Sequence, residues 1–183
     1  MILHELLEYK ADVLCLQEVD VMIFDTFLRP SLGVMGYRGY FGKKMSLQKE
    51  GCAIFWSAHK FQHVEGEMHT LSISQLFDDV NDNTLVDWDG IAKLNDLMDR
   101  HNELRSITKV KIGQILQVVT LKARPSATCI DPNVSFVVAN THLFYHPLAA
   151  NIRAMQTLAV SVHLLLKGKL MPHQCNKIFL DFK

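Results

Sequence analysis

The stretch that decides the fold is ADVLCLQEVD, residues 11–20. Its apolar part, Val13 to Leu16 with Ala11 ahead of it, is bounded by charge on both sides, which is typical of a strand buried on both faces. The strand ends abruptly in Gln17-Glu18. A carboxylate at the C-terminal end of a buried strand lies where open α/β sheets bind their ligands. The alternative is that Glu18 only ends a strand in water.

The residues before this strand predict a helix. Within residues 2–9, apolar side chains occupy positions 2, 3, 6 and 7, which is a helical spacing. A helix, a short turn, a buried strand and then Gln-Glu form a more specific arrangement than a lone carboxylate. The context therefore favours Glu18 as a site residue.

A second group of polar residues follows another buried strand. The strand predicted at Val134 to Ala139 is mostly apolar and ends in Asn140-Thr141-His142. Asn140 and His142 are two residues apart, so in regular strand geometry their side chains face the same way. Both can donate hydrogen bonds to a phosphate. An ordinary strand end, the alternative, explains one polar residue more easily than this pair.

The remaining pattern predicts an α/β chain. Further strands are expected at 37–42, 51–56, 61–68, 112–122 and 177–182, and further helices at 21–32 and 151–166. We expect the strand at 61–68 to pair with 51–56 through a turn at 57–60, and the strands at 112–122 and 134–139 to be antiparallel neighbours. Pro30 is expected to strain or end its helix, and Gly168 to end the last helix.

Residues 70–105 are polar and rich in Asp, and they predict two helices joined by an irregular loop at 78–89. The stretch DDVNDNTLVDWDG lacks the spacing of an EF-hand, so a surface loop is favoured over a calcium site. Residues 65–105 hold ten of the 19 acidic and three of the 19 basic residues, which leaves 16 bases and nine acids elsewhere. We expect one domain, residues 1–183, with an acidic helical excursion at about 65–110.

Composition restricts the class of protein. With 183 residues, 49% hydrophobic, the chain can bury a substantial core, which argues against disorder. The net charge is zero, but the basic body outside the acidic excursion is compatible with a polyanionic substrate. No apolar run approaches the roughly 20 residues of a membrane span. The cysteines are widely spaced and form no CxxC pair, which indicates reduced thiols inside a cell: Cys15, Cys52, Cys129 and Cys175.

Two blocks together resemble the endonuclease/exonuclease/phosphatase superfamily: ADVLCLQEVD and VVANTHLFYHP, residues 137–147. The sequences before the two blocks, ILHELLEYK and GQILQVVTLK, are similar to those of the mitochondrial 2′,5′-phosphodiesterase branch, which is related to the deadenylases. The stretch EGCAIFW resembles the family's strand beside the catalytic strand, where Glu50 is a further candidate. The resemblance is close at 1–20 and 113–160, looser at 36–64 and weak at 65–110.

The resemblance implies a two-sheet α/β sandwich covered by helices, truncated here at both ends. The family's first strand would precede Met1, and its final SDH strand would follow Lys183. The implied activity is Mg²⁺-dependent hydrolysis of RNA, with Mn²⁺ as an alternative ion. The enzyme would act as a 3′-to-5′ exonuclease on 2′,5′-oligoadenylate and poly(A). The resemblance places such a protein in the mitochondrial matrix, with no targeting segment in this chain and no membrane partner; protein partners are unknown.

The resemblance also implies residue roles. Glu18 would bind Mg²⁺, and Asn140 and His142 would contact the scissile phosphate. Asp181 aligns with the catalytic acid/base of the family's GDFN block, although Leu180 and Lys183 depart from that block.

Two further residues follow the second block. His146 would lie at the rim of the substrate site. Arg153 resembles the basic residue that begins the family's next helix, with a solvated helix charge as the alternative. A zinc site at His142 and His146 is rejected, because the Glu and the helix of HExxH are absent.

Two alternatives to this activity stay open. The first is that the chain is a non-catalytic fragment or pseudoenzyme, which the LDFK ending, residues 180–183, favours. The second is that the chain is another superfamily member, such as a DNA-repair endonuclease or a phosphoinositide phosphatase, which the sequences of the motifs disfavour.

Overall fold

The structure is a computed structural model, and it describes residues 2–45, 49–76, 96, 99–101, 103, 113–125, 135–170 and 177–182, without the side chains of 166–170 and 177–182. In chain order the elements are α1 (Ile2–Glu8), β1 (Val13–Asp20), α2 (Val21–Ile23), a π-helical turn (Phe24–Leu28), α3 (Arg29–Val34), β2 (Tyr37–Lys43), β3 (Glu50–Ser57), β4 (Phe61–Ser72), β5 (Ile115–Ala123), β6 (Ser135–Thr141), α4 (Ala150–Leu170) and β7 (Lys177–Phe182).

The strands form two sheets. Sheet A has the order β1-β3-β2 and is antiparallel throughout. Sheet B has the order β4-β5-β6-β7, in which only β7 is parallel to its neighbour among the described strands. The predicted two-sheet α/β sandwich is confirmed, as is the antiparallel pairing of β5 with β6.

Alternation along the central strands creates the layers. In β3, Ile54 and Trp56 pack into the core between the sheets, while Ala53 and Phe55 pack outward with Leu32 of α3. In β5 the same alternation divides residues between the inter-sheet core and a third cluster against α4. Both faces of these strands are buried, which is why they read as continuous apolar runs.

The pairing predicted for β4 is wrong. Both edges of β3 are occupied, by β1 and β2. The chain therefore crosses at 57–60 to the other sheet, where Phe61 pairs with Ala123 of β5. Phe61 still packs with Trp56, but across the sandwich and not within a sheet. Residues 71 and 72 belong to β4, and the acidic loop predicted at 78–89 lies outside the described residues.

Pro30 does not end its helical segment, which continues to Val34. The segment is π-helical at Phe24–Leu28, directly before Arg29 and Pro30, which agrees with the predicted strain. The helix end predicted at Gly168 is wrong. Gly168 lies inside α4, which extends to Leu170. Among the described residues, none of the helices has the length and apolarity needed to cross a membrane.

Candidate active site

Glu18 occupies a bulge near the end of β1. Leu16 pairs with Ala53 and Val19 pairs with Gly51, so Gln17 and Glu18 together lie opposite one residue of β3. Glu18 has φ 55°, a left-handed conformation that costs a non-glycine residue roughly 1–2 kcal/mol. Bulges re-aim side chains, and here the Glu18 side chain is 66% exposed. Backbone strain of this kind is concentrated at functional sites.

Gly51 makes the close strand approach beside the bulge possible. A Cβ at this position would lie 2.0 Å from the carbonyl oxygen of Gly42, which no side chain could tolerate without moving the backbone. Gly51 pairs with Val19 on one side and Lys43 on the other. The glycine of EGCAIFW is therefore required by strand packing at the site.

Asn140 joins the two sheets directly beneath the bulge. Its side chain is completely buried, and its Nδ2 donates to the carbonyl oxygens of Leu16 (3.1 Å) and Ala53 (3.2 Å). Its Oδ1 accepts a hydrogen bond of 2.8 Å from Nε2 of Gln17. Both amide protons are thus donated to sheet A, and the predicted contact of Asn140 with a phosphate stays a prediction. Sequence reasoning missed Gln17, whose only signal was a polar residue at the end of an apolar run.

His142 follows β6 and faces Glu18 of β1. Asn140 also faces β1, so the two side chains point the same way, as their two-residue spacing predicts. The His142 Nδ1 lies 3.8 Å from Oε1 of Glu18, and the His142 side chain is 17% exposed. This distance is too long for a hydrogen bond. The buried Nδ1 has no hydrogen-bond partner within the described part of the chain. Because an unsatisfied buried nitrogen is costly, it is well placed to bind a polar group of a ligand.

Asp181 is brought to the same place by the parallel pairing of β7 with β6. In that register Asp181 lies opposite Asn140, and Phe182 lies opposite Thr141. The ends of β1, β6 and β7 therefore converge, one from sheet A and two from sheet B. The side chain of Asp181 lies outside the described atoms, so its predicted acid/base role stays a prediction.

The chain is similar in sequence to several curated proteins. The 2′,5′-phosphodiesterase 12 of Rattus norvegicus is 32% identical over 164 residues, which are 90% of this chain and 24% of that protein. The protein angel homolog 2 of Danio rerio is 31% identical over 158 residues, which are 85% of this chain and 21% of that protein. A probable CCR4-Not complex 3′-5′-exoribonuclease subunit Ccr4 of Enterocytozoon bieneusi is 28% identical over 167 residues, with 86% and 30% covered.

Solved structures agree on the fold. ANGEL2, a 2′,3′-cyclic phosphatase, superposes with a TM-score of 0.68 at 22% identity, covering 97% of this chain and 40% of that one. The human Nocturnin catalytic domain gives 0.61 at 24% identity, with 94% and 50% covered. An endonuclease/exonuclease/phosphatase family protein from Bacteroides thetaiotaomicron gives 0.55 at 16% identity, with 92% and 48% covered.

The sequence is similar to 2′,5′-phosphodiesterases, and the fold is that of the endonuclease/exonuclease/phosphatase superfamily. This confirms the resemblance carried by the two motif blocks. The named relatives are nucleases or phosphatases, so the superfamily is one of enzymes. The chain spans about a quarter of the length of the curated 2′,5′-phosphodiesterases, 24% of the rat protein. No family model matches the sequence.

The other two predicted site residues are His146, in the loop between β6 and α4, and Arg153, in the first turn of α4. Arg153 Nη1 donates to the carbonyl oxygens of His146 (2.7 Å) and Phe144 (3.3 Å). Gln156 Oε1 accepts from the Phe144 N–H at 2.9 Å. The His146 side chain is exposed, as a rim residue would be. Arg153 thus anchors the loop that follows His142, and a direct contact of either residue with substrate stays a prediction.

Cys52 lies opposite the bulge and is completely buried. Burial raises the pKa of the Cys52 thiol to about 12, with a smaller opposing effect from Lys44. Glu50, the further candidate, forms an ion pair with Lys44 at 2.5 Å between partly buried side chains. Cys52 is therefore a neutral core thiol and not a metal ligand, because metals bind thiolates.

The residues present fit a hard divalent cation in one respect. The Glu18 carboxylate is exposed and offers oxygen, the ligand that Mg²⁺ prefers. Mg²⁺ is commonly held by one or two carboxylates together with waters and substrate phosphates. Within the described ranges no three His, Cys, Asp or Glu side chains gather as a metal cluster.

Proposed function

We propose that this chain provides part of the active site of a metal-dependent phosphodiesterase that hydrolyses RNA from its 3′ end. The observation that carries the proposal is the approach of Glu18 and His142. Glu18 of sheet A has a strained backbone and an exposed carboxylate. Its Oε1 lies 3.8 Å from the buried Nδ1 of His142, which follows a strand of sheet B and has no hydrogen-bond partner among the described residues. Structural packing alone gives no reason for either feature.

Each residue supplies a different part of the chemistry. Glu18 would hold Mg²⁺ or Mn²⁺, and such an ion neutralises phosphoryl charge and lowers the pKa of bound water. His142 would donate a hydrogen bond to a phosphoryl oxygen. That bond is stronger in a largely buried position than in water. Negative charge that develops on the phosphoryl oxygens would thus meet a hydrogen-bond donor that is already in place.

Two residues support this geometry from behind. Asn140 holds the ends of β1 and β3 against β6, and so it sets the separation between Glu18 and His142. Asp181 lies opposite Asn140 in β7, which supports the proposal that it serves as the acid/base at the same site. Arg153 fixes the loop that carries His146.

The substrate proposed is an oligoadenylate, linked 2′,5′ or 3′,5′ as in poly(A). It is supported by the printed names of two relatives, a 2′,5′-phosphodiesterase and a 3′-5′-exoribonuclease subunit. The mitochondrial matrix is proposed as the compartment on the same sequence resemblance. Phosphatase chemistry, named for ANGEL2, is the neighbouring possibility on this fold.

The experiment is a cleavage assay with 2′,5′- and 3′,5′-linked oligoadenylate in Mg²⁺ or Mn²⁺. Glu18→Gln removes the charge and keeps the shape, and we expect a loss of roughly a hundredfold or more in rate. Glu8→Gln, a similarly exposed carboxylate on α1, is the matched control. Cleavage that is unaffected by Glu18→Gln would refute the proposal. Absence of cleavage by the unmodified chain would support the non-catalytic alternative.

A further inference from the structure

A concave surface lies at the end of β5 that is far from Gln117, the strand partner of Asn140. It is a cavity of about 540 Å³, which we term the β4 cavity, lined by Arg38, Phe61, Gln62, His63, Val64, Glu65, Lys122 and Arg124. Lys122 pairs with Ser135, the first residue of β6, whereas Asn140 pairs with Gln117. The five residues from Gln117 to Lys122 correspond to about 17 Å at roughly 3.4 Å per residue. The β4 cavity is thus separate from the Glu18 site.

An irregularity in β4 opens this cavity. His63 pairs with Leu121 and Met68 pairs with Val119, so β4 advances by five residues while β5 advances by two. The excursion turns at Gly66, whose φ of 76° suits glycine. Thr120 contacts Glu67 at 3.5 Å at the base of the excursion. Bulges are over-represented beside functional sites, where they re-aim side chains.

Positive charge dominates the lining. Arg38, Lys122 and Arg124 face one carboxylate, Glu65, in a chain whose net charge is zero. Among the described residues, no hydrogen bond or ion pair involves the Arg38 or Lys122 side chain. The three cations outnumber the one carboxylate, and a bound anion would relieve the repulsion that remains among them.

Arg124 is oriented for such an anion. Its backbone N–H donates to the carbonyl oxygen of Lys60 at 2.7 Å, and its side-chain Nε donates to that of Phe61 at 3.4 Å. These bonds hold the guanidinium at the end of β5 and leave its Nη groups for a ligand. A planar guanidinium fork matches the oxygens of a phosphate.

An aromatic pair backs the cavity. The ring of His63, which lines the cavity, lies 5.9 Å from the ring of Trp56. Trp56 is 2% exposed, and its Nε1 has no hydrogen-bond partner among the described residues. Trp56 also pairs directly with Arg38 across β2 and β3, so the two side chains leave sheet A on the same side.

We propose that the β4 cavity binds a phosphate group of a nucleotide or RNA ligand, through Arg38, Lys122 and Arg124. The identification of the ligand as RNA rests on the proposed function, whereas phosphate binding itself does not. Three cations on two chain segments, Arg38 in β2 and Lys122 and Arg124 at the end of β5, suit a doubly charged or repeating anion better than a single carboxylate. In an RNA whose 3′ end lies at Glu18, this phosphate would belong to a nucleotide several positions upstream.

Binding is measured by the fluorescence of Trp56 in a Trp88→Phe background, with inorganic phosphate, AMP and short oligoadenylate as separate probes. The test variant is Arg38→Gln with Lys122→Gln. The control, Lys10→Gln with Arg29→Gln, removes the same number of charges elsewhere on the surface. We expect the test variant to weaken binding at least tenfold and to reduce the salt dependence of oligoadenylate binding. The control is expected to bind as the unmodified chain does.

Several outcomes separate the possibilities. Equal loss in test and control variants would indicate attraction by net charge alone and would overturn the proposal, as would the absence of binding to every probe. Binding of AMP as tightly as oligoadenylate would support a nucleotide site, and tighter oligoadenylate binding would support an RNA site. Binding of inorganic phosphate and AMP is measured without Mg²⁺ or Mn²⁺ and requires no cleavage, so failure of the cleavage proposal does not decide this one. Arg38→Lys, which keeps the charge, covers the case in which the double variant fails to fold.

Discussion

Gln17 Nε2 donates a hydrogen bond of 2.8 Å to Oδ1 of Asn140, a residue 123 positions away in the other sheet. The residue after Gln17 is the strained Glu18, and the amide of Asn140 also binds the carbonyl oxygens of Leu16 and Ala53. The bulge that aims the candidate metal ligand is therefore fastened from sheet B. Nothing in regular strand pairing within sheet A would hold it.

Gln17→Met tests this hydrogen bond, since it keeps the approximate shape of the side chain and removes the donor. It leaves a completely buried Oδ1 without its partner, so we expect the free energy of unfolding to fall by about 1–3 kcal/mol. Gln62→Met, at an exposed position of β4, is the control and should change stability by less than about 0.5 kcal/mol. Urea denaturation measures both. An unchanged Gln17→Met would mean that the bond contributes nothing.

Glu18→Gly should separate stability from function. Glycine accepts φ 55° without the steric cost, although it adds entropy to the unfolded chain, so we expect a net gain of up to about 1 kcal/mol. The same variant should lose Mn²⁺ binding and oligoadenylate cleavage, because the carboxylate is gone. Lys10 has φ 48°, and Lys10→Gly is the matched control that should gain stability with activity unchanged. A large loss of stability in Glu18→Gly would show that the carboxylate supports the fold.

His142→Ala should lower kcat by roughly a hundredfold, because a pre-positioned donor to the phosphoryl oxygen is removed. The melting temperature should change little, since Nδ1 has no hydrogen-bond partner among the described residues. His146→Ala, in the exposed loop nearby, serves as the comparison for general loop effects. A collapse of thermal stability, with full activity in the remaining folded enzyme, would instead assign His142 a packing role.

Cys52 should make stability depend on pH in the alkaline range. The folded thiol has a pKa of about 12 because it is buried, whereas the ordinary pKa of a cysteine thiol is 9.0. Between these values the unfolded chain releases a proton that the folded chain keeps, so stability falls by up to about 1.4 kcal/mol per pH unit as pH rises. Below pH 9 this contribution is constant.

Denaturation of Cys52→Ala and of the unmodified chain between pH 8 and about 11 isolates this effect. The difference in unfolding free energy between the two should narrow as pH rises, because only the unmodified chain loses the thiol contribution. Lys44 and Glu50, the charged groups near the thiol, are present in both proteins. A difference that is independent of pH would show that the thiol ionises as easily when folded as when unfolded.

Much of the fold was predictable from local sequence. The apolar runs in β1, β3, β5 and β6 are long enough and bounded sharply enough to identify buried strands, because strands covered on both faces carry apolar residues at every position. The spacing in α1 and the pairing of β5 with β6 also followed from pattern and proximity. The positions of Glu18, Asn140 and His142 at strand ends were visible for the same reason.

Only the tertiary structure decided how these pieces meet. The sequence alone did not show that β4 leaves β3 for the opposite sheet, that Asp181 pairs with Asn140, or that Gln17 reaches the same amide. Each of these depends on contacts between residues far apart in the chain, whose register is set by packing two sheets face to face. The left-handed bulge at Glu18 is of the same kind, since an unfavourable local conformation persists only where surrounding contacts hold it. The sequence by itself determined which residues could form the candidate active site, and the packing of the two sheets decided how they face one another.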